Sequence, residues 1–264
     1  MGTIKIGTCG YSRYQPEGDW KDKYDSKLQA YSEAFEAVEI NRTFYKLPMV
    51  KTAERWRQEV SEGFEFTLKA WQAVTHPTDS MTWRKRKEKL TKKQRENFGN
   101  FGSSRQVIDA WEQTKARAEA LDAKVCVFQT PASFSRSKKN EGNVRRFFES
   151  IDRDGISPAW EPRGDWNQRP EKIESICRDL RLIHVVDLMR REPRSDHPIA
   201  YIRLHGLNKR ETDYRYDYSD EELLQLAEKL QALARQHETV YCMFNNDNMF
   251  ANARALGNIL GKGK

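Results

Sequence analysis

The segment Val38–Pro48, VEINRTFYKLP, carries the pattern from which the fold can be predicted. Apolar Val38 and Ile40 alternate with polar Glu39 and Asn41, which is the period of a short β-strand. The proline then closes a loop, and an amphipathic helix follows. A polar pair at the end of a strand that leads into a helix is typical of the βα unit of a parallel barrel.

The same pattern recurs along the chain. The predicted strands are Ile4–Gly10, Ala37–Asn41, Phe64–Ala70, Lys124–Gln129, Ile156–Glu161, Leu182–Asp187, Ala200–Gly206 and Thr239–Asn246. Each is followed by helical periodicity or by a connection expected to contain a helix. The sequence therefore predicts an α/β fold, a (β/α)₈ barrel of TIM type, as one domain spanning residues 1–264. Residues 71–104 form a long insertion after the third predicted strand.

Length and composition agree with this prediction. The chain has 264 residues, of which 38% are hydrophobic, and no low-complexity linker divides it. No apolar run approaches the roughly 20 residues that a membrane-spanning helix needs. The first residues enter a strand without the apolar region of a signal peptide, so we expect a cytoplasmic protein with no membrane association.

The four cysteines, Cys9, Cys126, Cys177 and Cys242, are far apart and form no CxxC pair. This spacing argues against a zinc ribbon or a redox motif and favours reduced core residues. Cys9 differs from the others in lying where the first strand ends.

The net charge of +7 is concentrated in the insertion. Between Arg84 and Glu96 the sequence has eight Lys or Arg residues against two Glu. Such a run can contact nucleic-acid phosphates, or it can be the solvated face of a helix.

Seven segments form an ordered set along the chain: Gly7–Tyr11, Val38–Tyr45, Lys69–Ala70, Thr75–His76, Phe128–Pro131, Tyr201–Gly206 and Phe244–Asn246. Taken in order, they resemble the YecE-like family, also called domain of unknown function 72. The chain departs from the family pattern at Cys9, where Ser is usual, at Arg42, where a small residue is usual, and after Arg163, where a His is often found. The resemblance implies a TIM-type barrel without a settled activity. It also implies a distant similarity to endonuclease IV and to sugar-isomerase barrels, and hence phosphate-bearing substrates and a divalent metal.

In a barrel the carboxyl ends of the strands meet at one mouth, where active sites are built. The polar residues predicted there are Glu39, Asn41, Lys69, Gln129, Glu161, Arg163, Asp187, Arg203, His205, Asn245 and Asn246. The alternative is that Glu39 and Glu161 only neutralise Lys69 and Arg203 in a structural network.

Two kinds of site can be built from these residues. Carboxylates and an imidazole suit one Mg²⁺ or Mn²⁺ ion, but the five histidines show no HxH or HxxxH spacing, and we assign no metal ligand. Three cationic side chains, Lys69, Arg163 and Arg203, favour an anion site instead.

The sequence thus predicts an enzyme, a hydrolase of the phosphodiesterase kind or an isomerase, that acts on a phosphate- or carboxylate-bearing substrate by acid/base chemistry. Glu161, His205 and His76 would transfer protons. The cations would bind the anionic group, and Glu39, Asn41, Gln129, Asp187, Asn245 and Asn246 would orient the substrate. The rivals are a non-catalytic nucleic-acid-binding protein that uses the basic insertion, and a metal-dependent phosphodiesterase. The partner is accordingly an anionic small molecule or a nucleic acid.

Overall fold

A computed structural model describes residues 1–85 and 90–262 of the chain. Within this part, the strands are β1 (Thr3–Thr8), β2 (Ala37–Ile40), β3 (Glu65–Lys69), β4 (Val125–Gln129), β5 (Ser157–Glu161), β6 (Ile183–Val186), β7 (Ile199–Leu204) and β8 (Thr239–Phe244). The helices are α1 (Lys27–Ala34), α2 (Val50–Gln58), α3 (Gln72–Thr75), α4 (Lys92–Asn97), α5 (Arg105–Ala120), α6 (Lys138–Ser150), α7 (Pro170–Leu180), α8 (Asp220–Leu233) and α9 (Met249–Ile259).

The strands form a closed parallel barrel, because each is paired with the next and β8 is paired with β1. The predicted TIM-type α/β barrel is therefore confirmed. Alternation along the strands divides the core into two layers. Inside the barrel lie Ala37, Val127, Ala159, Tyr201 and Met243. Between the barrel and the helices lie Val38, Phe128, Trp160, Ile202 and Phe244.

This alternation determines which side chains reach the mouth. A side chain two residues beyond an inward-facing one also faces inward. Glu39 follows Ala37, Lys69 follows Thr67, and Arg203 follows Tyr201 in this way. The polar ends of β2, β3 and β7 therefore converge on the barrel axis.

One predicted feature is wrong. The connection from β6 to β7, residues 187–198, contains no helix, although a helix-bearing connection was expected after every strand. Its sequence, DLMRREPRSDHP, has few apolar residues and two prolines. Its apolar residues, Leu188 and Met189, are adjacent and do not recur at helical spacing, and the prolines interrupt helical hydrogen bonding.

The insertion after β3 is more ordered than the sequence pattern indicated. It contains α3, a 3₁₀ helix (Met81–Lys85) and α4, while residues 86–89, in the middle of the basic run, lie outside the described residues. The insertion folds back on α3, since the N–H of Gly99 donates to the carbonyl of Ala73 (2.8 Å) and that of Phe101 to Val74 (3.0 Å).

Gly99 allows this close return. Its φ is +90°, and a Cβ atom there would lie 2.3 Å from the backbone nitrogen of Pro77. We expect Gly99→Ala to lower the free energy of unfolding by about 1–3 kcal/mol, because it combines backbone strain with a backbone clash. Thermal denaturation would measure this.

Gly63→Ala is the matched control, since no atom lies within 4 Å of the added Cβ there. It should change stability by less than about 0.5 kcal/mol. Equal stability of the two variants would show that the insertion does not need its close contact with residues 76–77.

Two further observations concern the cysteines and the helices. All four cysteines are free and buried. In the described part of the chain, no helix combines the length and the apolar character that crossing a membrane requires.

Candidate functional site

Arg203 lies at the centre of the barrel mouth and is 1% exposed. Its Nη2 donates to Oε1 of Glu39 at 2.9 Å, and its Nη1 donates to Oε2 of Glu161. The guanidinium thus bridges β2 and β5 across the barrel interior. Because both terminal nitrogens of Arg203 donate to carboxylates, this side chain holds the charged network together. Lys69 and Arg163 are the other two cations that the sequence predicted to bind a substrate anion.

Two residues that the sequence analysis did not single out, Tyr201 and Thr67, extend this network on the side away from the mouth. The Tyr201 hydroxyl donates to Oε2 of Glu39 at 3.1 Å and lies 2.6 Å from the Thr67 hydroxyl. Both are buried. Each precedes a predicted site residue by two positions on the same strand, so strand alternation was the signal that could have identified them.

Arg163 forms the second arm of the network. Its Nε and Nη2 both donate to Oε1 of Glu161, at 2.9 and 2.6 Å. Its Nη2 also lies 3.1 Å from Nε2 of His205. A guanidinium can only donate hydrogen bonds, so Nε2 accepts here and the neutral ring carries its proton on Nδ1. Within the described residues, Nη1 of Arg163 has no hydrogen-bond acceptor.

The charges of the network explain the protonation states. Burial alone would raise the pKa of Glu161, but Arg163 and Arg203 outweigh it and hold the pKa well below its usual value. Burial, together with the charges of Arg163 and Arg203, lowers the pKa of His205 well below its ordinary range. The opposing attraction of Glu161 is smaller. Glu161 is therefore ionised and His205 neutral at physiological pH.

Asp187 positions His205 through the backbone. Its Oδ2 accepts the N–H of His205 at 3.0 Å, and its Oδ1 accepts the N–H of Met189 at 3.1 Å. Burial raises the pKa of Asp187 to about 6, although these hydrogen bonds favour the charged form. Asp187 thus fixes the end of β7, and its carboxylate titrates just below neutral pH.

Lys69 ends β3 and differs from the arginines. Its side chain is buried, with 7% exposed, and its Nζ lies 3.8 Å from the centre of the Phe44 ring. The described residues provide neither a hydrogen-bond acceptor nor an ion-pair partner for this ammonium group. Burial and, to a smaller extent, the charge of Arg203 lower the pKa of Lys69 from 10.5 to about 7 against the attraction of Glu161 and Glu39.

Local structure explains how Lys69 and Phe44 meet. After β2 the chain turns into a 3₁₀ helix, Asn41–Phe44, instead of extending the strand to Asn41 as predicted. The Thr43 hydroxyl in this turn lies 2.6 Å from the carbonyl oxygen of Lys69. The turn is thereby attached to the end of β3, which places the Phe44 ring beside the ammonium group.

His76 contacts the same aromatic ring. Its imidazole packs edge-on against Phe44 with centroids 4.8 Å apart, and its Nδ1 lies 2.8 Å from the Thr75 hydroxyl. Burial lowers the pKa of His76 to about 3, with contributions from the charges of Lys69 and Arg163. His76 is therefore a neutral imidazole that packs on the same ring as Lys69.

The predicted amides are placed differently from one another. Asn41, Gln129 and Asn245 are half-buried at strand ends. Asn246 is buried, and its amide nitrogen donates to the carbonyl of Tyr216 (2.8 Å) and to Oδ1 of Asn252 (2.7 Å). Asn246 thus anchors the β7–β8 connection, and the structure does not bring it into the charged network.

A model of the family described as "Protein of unknown function DUF72" matches residues 5–264. The chain belongs to this family. The UPF0759 protein YunF of Bacillus subtilis (strain 168) is 27% identical over 272 residues, covering 93% of this chain and 89% of the relative.

Solved structures of DUF72 proteins share the fold. One from Thermotoga maritima is 25% identical with a TM-score of 0.72, covering 98% of this chain and 99% of that one. One from Enterococcus faecalis is 18% identical with a TM-score of 0.73, covering 99% and 98%. The resemblance predicted from the ordered segments is therefore confirmed.

The mouth carboxylates of this DUF72 barrel, Glu39, Glu161 and Asp187, accept hydrogen bonds from guanidinium, hydroxyl and backbone N–H donors. In the ranges 1–85 and 90–262, no group of three or more His, Cys, Asp or Glu side chains is placed to hold a metal ion. Glu39 and Glu161 share Arg203, and Asp187 accepts two backbone N–H groups. A divalent cation at these carboxylates would have to displace those donors.

The described basic residues of α4 face solvent. Lys92, Lys93 and Arg95 are all exposed. The aromatic residues that bracket the basic run, Trp83 and Phe98, are buried and stack on each other at 5.6 Å. Their faces are therefore not available as a platform for unpaired bases.

Proposed function

We propose that this DUF72 protein is an enzyme that binds a phosphate- or carboxylate-bearing substrate at the barrel mouth and acts on it by acid/base chemistry. One observation supports the proposal most. Among the described residues of the charged network, three cationic donors lack a protein acceptor: Arg163 Nη1, Lys69 Nζ and the fully buried Arg203 Nε. Cationic donors without acceptors in a buried site are costly, and an anion between Arg163 and Lys69 can satisfy those two.

The two cations have different roles in the proposal. Arg163 is permanently charged and held rigidly by Glu161, so it binds the anionic group without losing side-chain entropy. Lys69 has a pKa of about 7 and can exchange a proton at physiological pH, as a general acid or base requires. His76 is the neutral second proton carrier. Glu161 and His205, predicted as catalytic groups, position Arg163.

Substrate classes that share this chemistry are sugar phosphates, other phosphate esters and small carboxylates. An isomerase and a hydrolase both need a proton moved beside an anionic group, so both reaction types fit these roles.

Phosphate binding measured by isothermal titration calorimetry tests the proposal. We expect Arg163→Gln to weaken phosphate binding by about 10-fold or more, because a charge-assisted hydrogen bond contributes about 1.5–3 kcal/mol. The control is the double variant Lys92→Gln/Lys93→Gln on α4, which should bind phosphate like the wild type. Circular dichroism would verify that each variant is folded.

The rival function, nucleic-acid binding through the insertion, predicts the opposite result. Its support is the exposure of the α4 charges. If it holds, the α4 variant loses affinity for an oligonucleotide and part of its salt dependence, whereas Arg163→Gln keeps both. That pattern, together with unchanged phosphate binding by Arg163→Gln, would overturn the enzyme proposal.

A further inference from the structure

We infer that the Lys69 amine is a nucleophile that forms an imine with the carbonyl carbon of an anionic substrate. The inference rests on the proposed function, because Arg163 must hold the anionic group while the amine attacks. It goes further in giving Lys69 a covalent role and in restricting the substrate to compounds that carry a carbonyl near a phosphate or carboxylate.

The first argument is the distribution of counterions. The carboxylates of the mouth are Glu39, Glu161 and Asp187, and none of their described hydrogen bonds comes from Lys69. Lys69 is left with an aromatic ring, whose attraction for a cation is weak compared with that of a carboxylate. A lysine kept for structural charge balance would be expected to face one of these carboxylates.

The second argument is the contrast with Lys5, an inward-facing lysine at the opposite end of the barrel. Its Nζ lies 2.6 Å from Oε1 of Glu65, and Tyr241 donates to the other oxygen of the same carboxylate. At the end of the barrel away from the mouth, the inward-facing lysine therefore has a carboxylate partner. At the mouth, the described residues provide no such partner for Lys69.

The third argument is reactivity. Only the neutral amine of a lysine is nucleophilic, and desolvation beside another cation is a known way to obtain it at physiological pH. The charged and titratable groups that act on Lys69 are Arg203, Arg163, Glu161, Glu39 and His76. Burial and the two arginines outweigh the carboxylates, so a substantial neutral fraction is present near pH 7.

The reaction balances without a cofactor. The lone pair of Nζ attacks the carbonyl carbon, the C–N bond forms as the C=O π bond breaks, and one proton passes from nitrogen to oxygen to give a neutral carbinolamine. Loss of that hydroxyl as water, with the proton from nitrogen, gives the imine. The protonated imine withdraws electrons from the neighbouring carbon, which acidifies its C–H bond.

Reductive trapping on the wild-type protein tests the inference. The protein is incubated with sodium cyanoborohydride and glyoxylate or dihydroxyacetone phosphate, and the modified lysine is located by peptide mass spectrometry. Dihydroxyacetone serves as the uncharged probe, and Lys5 is the internal control. We expect Lys69 to be the principal modified residue, labelled at least about 10-fold faster by an anionic probe than by dihydroxyacetone, in line with one charge-assisted hydrogen bond.

Further measurements separate the possible outcomes. Inorganic phosphate should slow labelling of Lys69, and Lys69→Met should remove it without changing the labelling of exposed lysines.

Label spread over exposed lysines with none at Lys69 would overturn the inference. If phosphate still bound at Arg163 in that case, the proposed function would stand. Equal labelling of Lys69 by charged and uncharged probes would overturn the assigned substrate class. Because the site is mapped on the wild type, the test does not depend on the folding of a variant.

Discussion

Replacing Arg203 by Met should lower the free energy of unfolding by about 3–5 kcal/mol, the largest effect expected in this protein. The guanidinium is 1% exposed and is hydrogen-bonded to both Glu39 and Glu161. Without it, the two buried carboxylates lose the guanidinium that bridges them, and Glu39 keeps only the Tyr201 hydroxyl as a hydrogen-bond donor among the described residues. Chemical denaturation at pH 7 would measure the loss.

Arg215→Met is the matched control. Arg215 is paired with Asp213 at 2.9 Å, the same distance as the pair between Arg203 and Glu39, but its side chain is 81% exposed. Solvent screens that pair, so its loss should leave stability unchanged within error. Adding Glu39→Gln to Arg203→Met should restore part of the lost stability. Equal effects of the two single Arg variants would contradict the description of Arg203 as the centre of the network.

Replacing Lys69 by Met should have the opposite sign and raise the free energy of unfolding at pH 7 by about 3–4 kcal/mol. The pKa of Lys69 falls from 10.5 to about 7 on folding, and each pKa unit corresponds to about 1.4 kcal/mol. Loss of the contact with Phe44 offsets about 0.5–1 kcal/mol of the gain. The melting temperature should rise by roughly 2–4 °C per kcal/mol.

The pH dependence identifies the cause of this gain. Between pH 7 and 10.5 the unfolded chain holds a proton on Lys69 that the folded chain has released. The stability of the wild type therefore rises with pH across this window. The advantage of Lys69→Met should be complete below about pH 7 and absent above about pH 10.5.

Lys5→Met provides the comparison for Lys69→Met. Lys5 faces into the barrel but is paired with Glu65, so its loss should destabilise the protein. Stabilisation by both variants would indicate a general benefit of apolar residues in the barrel. A loss of stability in Lys69→Met would contradict the account of an unpaired cation. A stabilising variant that loses activity would fit the usual cost of a functional site.

The barrel could be predicted because its determinants are local. Alternation in segments such as Val38–Asn41 identifies a strand, and the order of strand and helix patterns identifies parallel βα units. The same patterns placed Glu39, Lys69 and Arg203 at the carboxyl ends of their strands, and the structure brings them together at the mouth. The connection from β6 to β7 was predicted incorrectly because the repeating βα pattern was extended to it, whereas its few apolar residues do not recur at helical spacing.

The pairing within the mouth could not be predicted from the sequence. The structural alternative expected Glu39 and Glu161 to neutralise Lys69 and Arg203, but the second partner of Glu161 is Arg163. β2 and β7 are not neighbours in the barrel, so the contact between Glu39 and Arg203 depends on the curvature of the closed sheet. No local pattern contains that information.

The position of Phe44 beside Lys69 was missed for a related reason. It requires the 3₁₀ turn after β2 and the hydrogen bond from Thr43 to the end of β3. The anchoring of His76 by the insertion is likewise a long-range feature, since Trp83 Nε1 donates to the His76 carbonyl at 3.1 Å and Gly99 packs against it.

The central claim is that the barrel mouth binds an anion through the donors that the protein leaves without acceptors. A crystal structure determined after soaking with phosphate tests this most directly. The account predicts phosphate oxygens within hydrogen-bond distance of Arg163 Nη1 and Lys69 Nζ. Phosphate found only on the outer surface, for example beside Lys92 and Lys93 of α4, with none at the mouth, would contradict it.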